Sequence, residues 1–468
     1  MRLRPTTFLP LLAVLALVPA ALLPLLSEPL PRSADGRPHL LRMAALAMSL
    51  DNGELWPRFS PDLVYGYGYP LFHYYAPLIY YLGVGLHALG LSFTAALHVI
   101  FGLALVLGAW GAWTLAEEWF GSAAGGLAAA AIYAFAPYTL FNLFARGAAP
   151  EALATALLPW LLWSLTRALR APSVIAWLRL ALLTAVLFLT HNLSSLAAFA
   201  FALAWSGIDG VILIREARSP SPRPASPGRG GRVDPSTDNN RPSATRRLSL
   251  ATGFLLTGLA LSAFFWLPAF LETNLVQVSE LTTPATLDFR NYFLTPAQLL
   301  APSFTFDPRL EPPAIPVAFG LPQALLPLLA VLLWRRYVDP AARWRVAALA
   351  AMLAGLLFLT TRASLPVWEA LGPLRLMQFP WRFLGPATVL AALLAAAAVS
   401  VLGPRHPATL SPTHPLPLAW LVASTSPSPP PSSPSPGRSS PAILPLSFRP
   451  IPRWRRSGTT RSNRAASD

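Results

Sequence analysis

Long apolar stretches follow one another along most of this chain, and its polar residues gather in the segments between them. A helix needs about 20 predominantly apolar residues to cross the hydrocarbon core of a bilayer. Backbone polar groups in lipid must find partners within the segment itself, which favours helices over open strands. The pattern therefore predicts an all-α, polytopic integral membrane protein with about ten transmembrane helices. The predicted spans are residues 7–27, 93–115, 122–141, 151–168, 174–190, 195–214, 248–270, 315–334, 344–361 and 383–403.

Composition supports a membrane protein and excludes several kinds of site. Of the 468 residues, 54% are hydrophobic and only 12% are charged, about half the charged fraction of a typical soluble protein. The chain has no cysteine, which excludes disulfides, thiolate catalysis and cysteine-ligated metals. The formal net charge of +15 raises the question of a nucleic-acid partner. Because most of the excess lies in two low-complexity segments and in short connectors, we expect no nucleic-acid partner.

Residues 73–90 are apolar but are interrupted by Pro77, Gly83 and Gly85, and their placement decides the topology. If they crossed the membrane and the N-terminus were cytoplasmic, residues 215–247, with eight Arg and three acidic residues, would lie outside. If they do not cross, that segment falls on the cytoplasmic side, as the positive-inside rule prefers. We therefore predict a juxtamembrane or re-entrant helix over 73–90, both termini in the cytoplasm, and a location in the plasma membrane.

Changes in composition divide the chain into four parts. Two of them are rich in Pro, Ser, Gly and Arg, which predicts a flexible cytoplasmic linker and a low-complexity tail without a packed core. The first apolar run exceeds the core of a cleaved signal peptide, so we favour an uncleaved first span, with cleavage as the alternative. The predicted parts are an N-terminal membrane block (1–214) with a first outer loop (28–92), a disordered linker (215–247), a C-terminal membrane block (248–403) with an outer loop (271–314), and a disordered tail (404–468).

The first outer loop contains candidate chemistry. His39 and Arg42 lie one helical turn apart in a stretch with apolar residues at helical spacing, which predicts a helix on the membrane surface. Asp35 precedes this helix. Further on, Tyr67 and Tyr69 belong to a Gly-Tyr-rich turn. Two interpretations stay open for these tyrosines: an interfacial aromatic anchor, or a surface that stacks on sugar or contacts lipid.

Four further polar residues fall on the same predicted side of the membrane. Arg146 and Glu151 share a short segment of small residues, where Glu151 either complements a helix dipole, worth about 0.3–1 kcal/mol, or marks a polar site. His191 ends a span and is either interfacial or functional. Arg382 lies between two aromatic residues and either snorkels to the interface or binds a lipid phosphate.

These residues carry a resemblance to a known family. The chain resembles the bacterial membrane proteins known as 6-pyruvoyl-tetrahydropterin synthase-related. The pterin label is not to be taken literally, because nothing here resembles the zinc-binding His set of the soluble pterin enzyme. The matching motifs are Asp35…His39-x-x-Arg42, Trp56-Pro-Arg58-Phe, Gly66-Tyr-Gly-Tyr-Pro70-Leu-Phe-x-x-Tyr75-x-Pro77-Leu, Tyr133-x-x-x-Pro137-Tyr138, Arg146-Gly…Glu151, His191-Asn192 and Gln378-Phe-Pro-Trp-Arg382.

That membrane family is similar to the GT-C glycosyltransferases, multi-pass enzymes that use polyprenyl-phosphate-linked sugars at the outer face. The resemblance covers roughly residues 1–403 and implies a GT-C-like fold within the membrane lipid. It implies that Asp35 and Glu151 are the catalytic carboxylates, and it leaves open a divalent metal ion held by them. The residues it implies for the substrate and lipid phosphate are His39, Arg42, Arg58, Tyr67, Tyr69, Arg146, His191 and Arg382.

Two functional hypotheses remain. The first is a glycosyltransferase that moves a sugar from a polyprenyl-phosphate donor to an acceptor at the outer membrane face. The second is a transporter, a flippase or an assembly factor for cell-surface polymers, since such proteins carry broken helices and intramembrane charges. No phosphate-binding loop, H-E-x-x-H zinc motif or G-x-S-x-G nucleophile elbow occurs in the sequence. Because most acidic residues lie in loops and the two halves differ, the enzyme is favoured.

Overall fold

The computed structural model describes residues 33–218, 243–277, 287–301 and 317–402, together with residues 16, 19, 21 and 22. All of these lie within one compact unit, Met1–Arg405. Most of the first predicted span, the centre of the predicted linker and the predicted tail lie outside the described residues. Helices at both ends of the linker extend into the range predicted to be disordered.

The described residues form helices joined by short connectors, with isolated β-bridges at Ser60–Tyr69 and Leu294–Thr361. A π-helical turn, Phe141–Ala145, follows α6 directly. The α-helices are α1 (Gly36–Asp51), α2 (Leu71–Tyr74), α3 (Leu78–Ala88), α4 (Phe93–Phe120), α5 (Ala123–Ala134), α6 (Pro137–Leu140), α7 (Ala149–Arg170), α8 (Val174–Thr190), α9 (Asn192–Arg218), α10 (Ala244–Leu261), α11 (Ala263–Leu271), α12 (Pro296–Leu300), α13 (Leu321–Leu332), α14 (Pro340–Leu359), α15 (Leu365–Ala370), α16 (Gly372–Arg375) and α17 (Leu384–Leu402).

Within the described ranges, 5 helices are long and apolar enough to cross a membrane: α4, α7, α9, α14 and the segment Pro380–Leu402 that contains α17. Two bent pairs add one span each if each pair counts as a single crossing. Ala123–Ala134 meets Pro137–Ala145 at 45°, and α10 meets α11 at 71°. The protein is thus a helical, multi-pass membrane protein with 5 to 7 candidate spans among its described residues, and the predicted ten are not confirmed.

Three of the ten predicted spans are not among these candidates, and each has its own reason. Helix α8 has 17 residues and α13 has 12, both shorter than the roughly 20 residues of a typical spanning helix. The first predicted span lies mostly outside the described residues. The segment predicted not to cross forms α3, whose 11 residues rise only about 16 Å.

Capping residues determine where several helices begin and end. The hydroxyls of Ser92, Ser122 and Ser173 accept backbone N–H groups at the starts of α4, α5 and α8, which satisfies donors that a helix leaves unpaired. Helix α4 ends at Gly121, whose φ of +63° suits a left-handed C-cap. These caps place the breaks between spans at defined residues.

The core forms around α17. From Leu384 to Ala398, nearly every residue of this helix is buried, as expected for a helix that is apolar on all sides. It packs against α4, α5, α13 and α14. Gly125 permits close approach of α5 to α17, because a Cβ at this position would lie 2.8 Å from the carbonyl oxygen of Ala396. The predicted C-terminal block therefore packs into the N-terminal one.

Candidate functional site

Four chain segments meet at one end of the bundle. They are the start of α1, the turn between the π-helix and α7, the break between α8 and α9, and the approach to α17. The N–H of Asp35 donates to the carbonyl of Arg146 at 2.7 Å. Gly147, with φ of +68°, allows this contact, since a Cβ there would collide with Ser33 and lie 2.9 Å from the nitrogen of Gly36.

Glu151 is the buried anchor of this end, with 2% of its surface exposed. Its carboxylate lies 2.5 Å from Nη1 of Arg146 and 3.4 Å from Nε of Arg382. It also accepts a short hydrogen bond from the hydroxyl of Tyr138 and a 3.5 Å contact from Nδ2 of Asn142. A buried carboxylate is stable only when paired in this way. The two guanidinium groups and Glu151 therefore form one unit.

Arg146 joins the two carboxylates that were predicted to be catalytic. Its Nε lies 3.4 Å from Oδ2 of Asp35, while its Nη1 contacts Glu151. The Asp35 side chain is 41% exposed. Trp381 covers Arg146, with the guanidinium carbon 5.0 Å from the ring centroid. Asp35 is thus the carboxylate that a substrate can reach, and Glu151 is enclosed.

Arg382 turns into this cluster. Its Nη1 donates to the carbonyl of Met377 at 2.8 Å, and its side chain is 9% exposed. Gln378 adopts a φ of +61°, which is uncommon for a residue with a Cβ. The turn at Gln378 brings the carbonyl of Met377 against Arg382, so the guanidinium is held from both sides.

A second group of side chains adjoins the cluster from α1 and α3. Nη1 of Arg42 donates to the hydroxyl of Tyr80 at 3.2 Å, and its guanidinium carbon lies 4.3 Å from the ring centroid of Tyr75. Nδ1 of His39 lies 2.9 Å from the same hydroxyl. Nε2 of His39 is buried and has no hydrogen-bond partner among the described residues. Burial, with the charges of Arg42 and Arg146, lowers the pKa of His39 to about 3.

His191 and Asn192 hold the break between α8 and α9. The N–H of Ser194 donates to Nδ1 of His191 at 3.2 Å, which leaves Nε2 to carry the proton of the neutral ring. Burial lowers the pKa of His191 to about 3, although Glu151 acts in the opposite direction. Asn192 clamps the loop after α2, accepting from the N–H of Ala76 at 3.1 Å and donating to the carbonyl of residue 74 at 2.7 Å.

Three of the predicted substrate residues lie elsewhere. Arg58 lies 3.2 Å from Nδ1 of His73 and donates to the carbonyl of Phe264 at 3.2 Å. It belongs to a separate polar contact between the predicted first outer loop and α11. Tyr67 and Tyr69 are 87% and 50% exposed. Their roles remain predictions, since the structure does not bring them to Glu151.

Sequence reasoning assigned no role to Tyr138 or Asn142, although both contact the Glu151 carboxylate. The spacing between Asn142 and Arg146 was the signal in the sequence that could have indicated a role for Asn142. Asn142 and Arg146 are four residues apart in a helical segment, and Nη1 of Arg146 donates to Oδ1 of Asn142 at 3.4 Å. Polar residues at this spacing in an otherwise apolar run point to one shared partner.

Two small cavities flank the cluster. One lies between α4 and α7, and its polar lining residues are Tyr133, Tyr138, Thr139, Asn142 and Thr155. The other lies beside Arg382. Its polar lining residues besides Arg382 are Thr155 and Ser194, and its other walls are apolar. Arg382 thus borders a small, mainly apolar cavity.

The donor set does not suit a divalent cation. Glu151 is already neutralised by two guanidinium groups, and Asp35 faces Arg146. Ca²⁺ and Mg²⁺ need several oxygen ligands converging on one point. Among the residues that the structure describes, no three His, Asp or Glu side chains could hold a metal ion.

Comparisons with known proteins bear on the predicted resemblance. The family model described as "6-pyruvoyl-tetrahydropterin synthase related domain; membrane protein" matches residues 72–219. The resemblance is confirmed over these residues. No curated protein matches the chain.

Among solved structures, the chain is similar to the arabinofuranosyltransferase AftD from Mycobacteria. The identity is 20% and the TM-score is 0.42. The match covers 83% of this chain and 26% of that chain. The protein therefore spans about a quarter of the length of that enzyme.

Proposed function

We propose that this protein is a GT-C-type glycosyltransferase that moves a sugar from a polyprenyl-phosphate donor to an acceptor hydroxyl. One observation carries the proposal: a reachable carboxylate, Asp35, pairs with Arg146, which shares the buried Glu151 with Arg382. A sugar phosphate needs a base for its acceptor and cationic groups for its leaving phosphate. The residues matched by the family model, 72–219, include Arg146 and Glu151.

In the proposed reaction, the acceptor hydroxyl oxygen attacks the anomeric carbon. A new glycosidic carbon–oxygen bond forms as the bond to the phosphate oxygen breaks, and the electron pair leaves with the phosphate. Asp35 takes the hydroxyl proton. Arg382 and Arg42 stabilise the phosphate charge; Arg42 contacts Tyr75 and Tyr80 but no carboxylate among the described residues.

Glu151 has a positioning role in this proposal. Its carboxylate is enclosed by Arg146, Arg382 and Tyr138, so it cannot reach an acceptor hydroxyl. The polyprenyl chain would lie against the apolar side chains next to Arg382, among them Leu158, Met377 and Phe383. His39 and His191 are neutral there and would offer hydrogen bonds to the sugar or the phosphate.

The proposal places the Glu151 end outside the plasma membrane, with ten spans and both termini in the cytoplasm. The distribution of arginine supports this orientation, because Arg167, Arg170, Arg246 and Arg247 lie at the other end of the bundle. Polyprenyl-phosphate sugars would then be used at the outer face.

The transport hypothesis has structural support of its own. Two candidate spans are bent by 45° and 71°, and α9 carries a fully buried carboxylate, Asp209, that pairs with Arg170 and Arg345. Broken helices and intramembrane charges are typical of transporters. An experiment must therefore distinguish sugar transfer from transport of the donor.

The test is analysis of surface glycolipids and glycoproteins in a strain from which the gene is deleted. We expect one sugar-bearing product to disappear and its unmodified acceptor to accumulate. Wild type and Asp62→Asn, an exposed carboxylate in the same outer loop, should restore the product, and Asp35→Asn should not. Restoration by Asp35→Asn at wild-type level would contradict the proposal. Accumulation of unused donor with normal transfer in broken membranes would indicate transport.

A further inference from the structure

Helix α7 carries one stripe that its neighbours leave partly uncovered. From Ala156 to its end, every residue is buried except Trp160, Trp163, Arg167 and Arg170. Their spacing of three, four and three residues places them on a single face. Arg167 lies about 24 Å along the helix from Glu151. The stripe therefore runs away from the proposed catalytic site towards the opposite end of the bundle.

Two guanidinium groups meet at the end of this stripe. Arg179 on α8 stacks over Trp163, with its guanidinium carbon 4.2 Å from the ring centroid. Arg167 lies close enough to act on it electrostatically. Nε of Arg179 is buried and finds no hydrogen-bond partner within the described chain. Arg167 pairs with Glu118 at 3.3 Å. Two cations and one carboxylate leave one positive charge in excess.

The stripe has a fixed aromatic floor. Trp110 on α4 meets Trp160 edge to face at 5.4 Å between ring centroids, and Trp160 meets Trp163 at 5.9 Å. Nε1 of Trp160 donates to the carbonyl of Leu107 at 2.8 Å. With that polar group satisfied, the exposed faces of the rings are apolar. Trp160 lies seven residues before Arg167 in the same helix, about 10 Å along its axis, so the rings extend from the guanidinium groups into the hydrocarbon depth.

We infer that Arg167, Arg179 and the Trp110–Trp160–Trp163 floor form a binding site for one anionic phospholipid. The phosphate would accept hydrogen bonds from the two guanidinium groups, which suit phosphate oxygens. An acyl chain would lie along the tryptophan rings. The single excess charge matches a phosphodiester headgroup with no cation of its own, such as phosphatidylglycerol, and a zwitterionic lipid would bring an unwanted ammonium. This site is independent of the proposed sugar transfer.

The inference is tested on the purified full-length protein by native mass spectrometry, titrating phosphatidylglycerol and phosphatidylcholine separately. We expect retained phosphatidylglycerol adducts, about tenfold weaker in Arg179→Gln and partly restored in Arg179→Lys. Arg246→Gln, which removes an arginine from the same end of the bundle, should bind as wild type. Equal binding of the two lipids, or unchanged binding in Arg179→Gln, would overturn the inference.

Two further arms separate a phospholipid site from a simple anion site and test the charge balance. Inorganic phosphate should not displace the lipid, and displacement at millimolar concentration would show a simple anion site instead. Glu118→Gln removes the carboxylate that competes for Arg167, so it should bind phosphatidylglycerol more tightly. Weaker binding in Glu118→Gln would contradict the charge argument. Because this variant gains affinity, a loss of folding in Arg179→Gln would leave the inference testable.

Discussion

At the scale of single residues, the main feature is a buried carboxylate whose charge is balanced by neighbouring arginines. Glu151 and Asp35 together face Arg146 and Arg382, so the formal charges of these four residues balance. Removing one partner from such a group leaves an uncompensated buried charge. The cluster should therefore be sensitive to single substitutions and tolerant of paired ones.

The variant Glu151→Gln tests the sensitivity of the cluster to a single substitution. The variant leaves Arg382 without its carboxylate and Arg146 with Asp35 alone, and we expect it to lose about 3–5 kcal/mol of stability. Thermal or denaturant unfolding in a mild detergent measures the loss. Glu369→Gln, which opens an exposed pair with Arg290, should change little. The double variant Glu151→Gln, Arg382→Gln should recover part of the stability, and a wild-type unfolding curve for Glu151→Gln would contradict this account.

His39 makes stability depend on pH. Its pKa falls from 6.5 to about 3 on folding, so below pH 6.5 the unfolded chain takes up a proton that the folded chain refuses. The stability present at neutral pH is therefore lost as the pH falls, by about 2 kcal/mol at pH 5. His39→Gln should lack this contribution, seen as the difference between the two stability curves from pH 8 to pH 5. Parallel curves would show that His39 is not buried in its neutral form.

At the scale of elements, close helix packing depends on particular glycines. Gly253 and Gly258 lie on the same helix, α10. A Cβ at Gly253 meets nothing within 4 Å, whereas one at Gly258 would collide with the backbone of Ala181 and the side chain of Thr184 on α8. We expect Gly258→Ala to destabilise the protein by about 1–3 kcal/mol and Gly253→Ala to be neutral or slightly stabilising. Equal effects on unfolding would mean that α8 and α10 are not in close contact.

The connection from the π-helical turn to α7 also requires a glycine, Gly147. Gly147→Ala combines left-handed strain with a clash against Ser33 and Gly36, and Gly121→Ala carries strain alone, with φ of +63° and open space. Strain costs about 1–2 kcal/mol, so both variants should lose stability. Only Gly147→Ala should also displace Asp35 from Arg146 and reduce activity. Measured activity that falls equally in both variants would rule out this docking role.

At the scale of the whole molecule, the two ends of the bundle differ in character. The polar cluster of Asp35, Arg146 and Glu151 occupies one end, and most arginines at helix ends occupy the other. Because the chain has no cysteine, single cysteines can report orientation. In intact cells an impermeant thiol reagent should label Asp62→Cys and spare Arg246→Cys. The reverse labelling would invert the topology.

Several parts of this arrangement could be predicted from the sequence. Apolar run lengths and the placement of arginine put Asp35, Glu151, His191 and Arg382 on one side, and the structure places them at one end of the bundle. Spacing pointed to Asn142 but not to Tyr138, which lies in α6 and reaches Glu151 from before the π-helical turn, so the enclosure of Glu151 could not be predicted. The length of an apolar run also could not predict a bend, and α10 meets α11 at 71° within one such run.

The central claim is that Asp35 acts on the acceptor while Glu151 holds the arginines. It is tested most directly by sugar transfer with purified protein in lipid nanodiscs, using radiolabelled polyprenyl-phosphate sugars and the acceptor that accumulates in the deletion strain. Loss of a general base lowers the rate about 10²–10⁴-fold. We predict that fall in kcat for Asp35→Asn with donor binding retained, and wild-type kinetics for Asp62→Asn. Transfer by Asp35→Asn at the wild-type rate would contradict the claim.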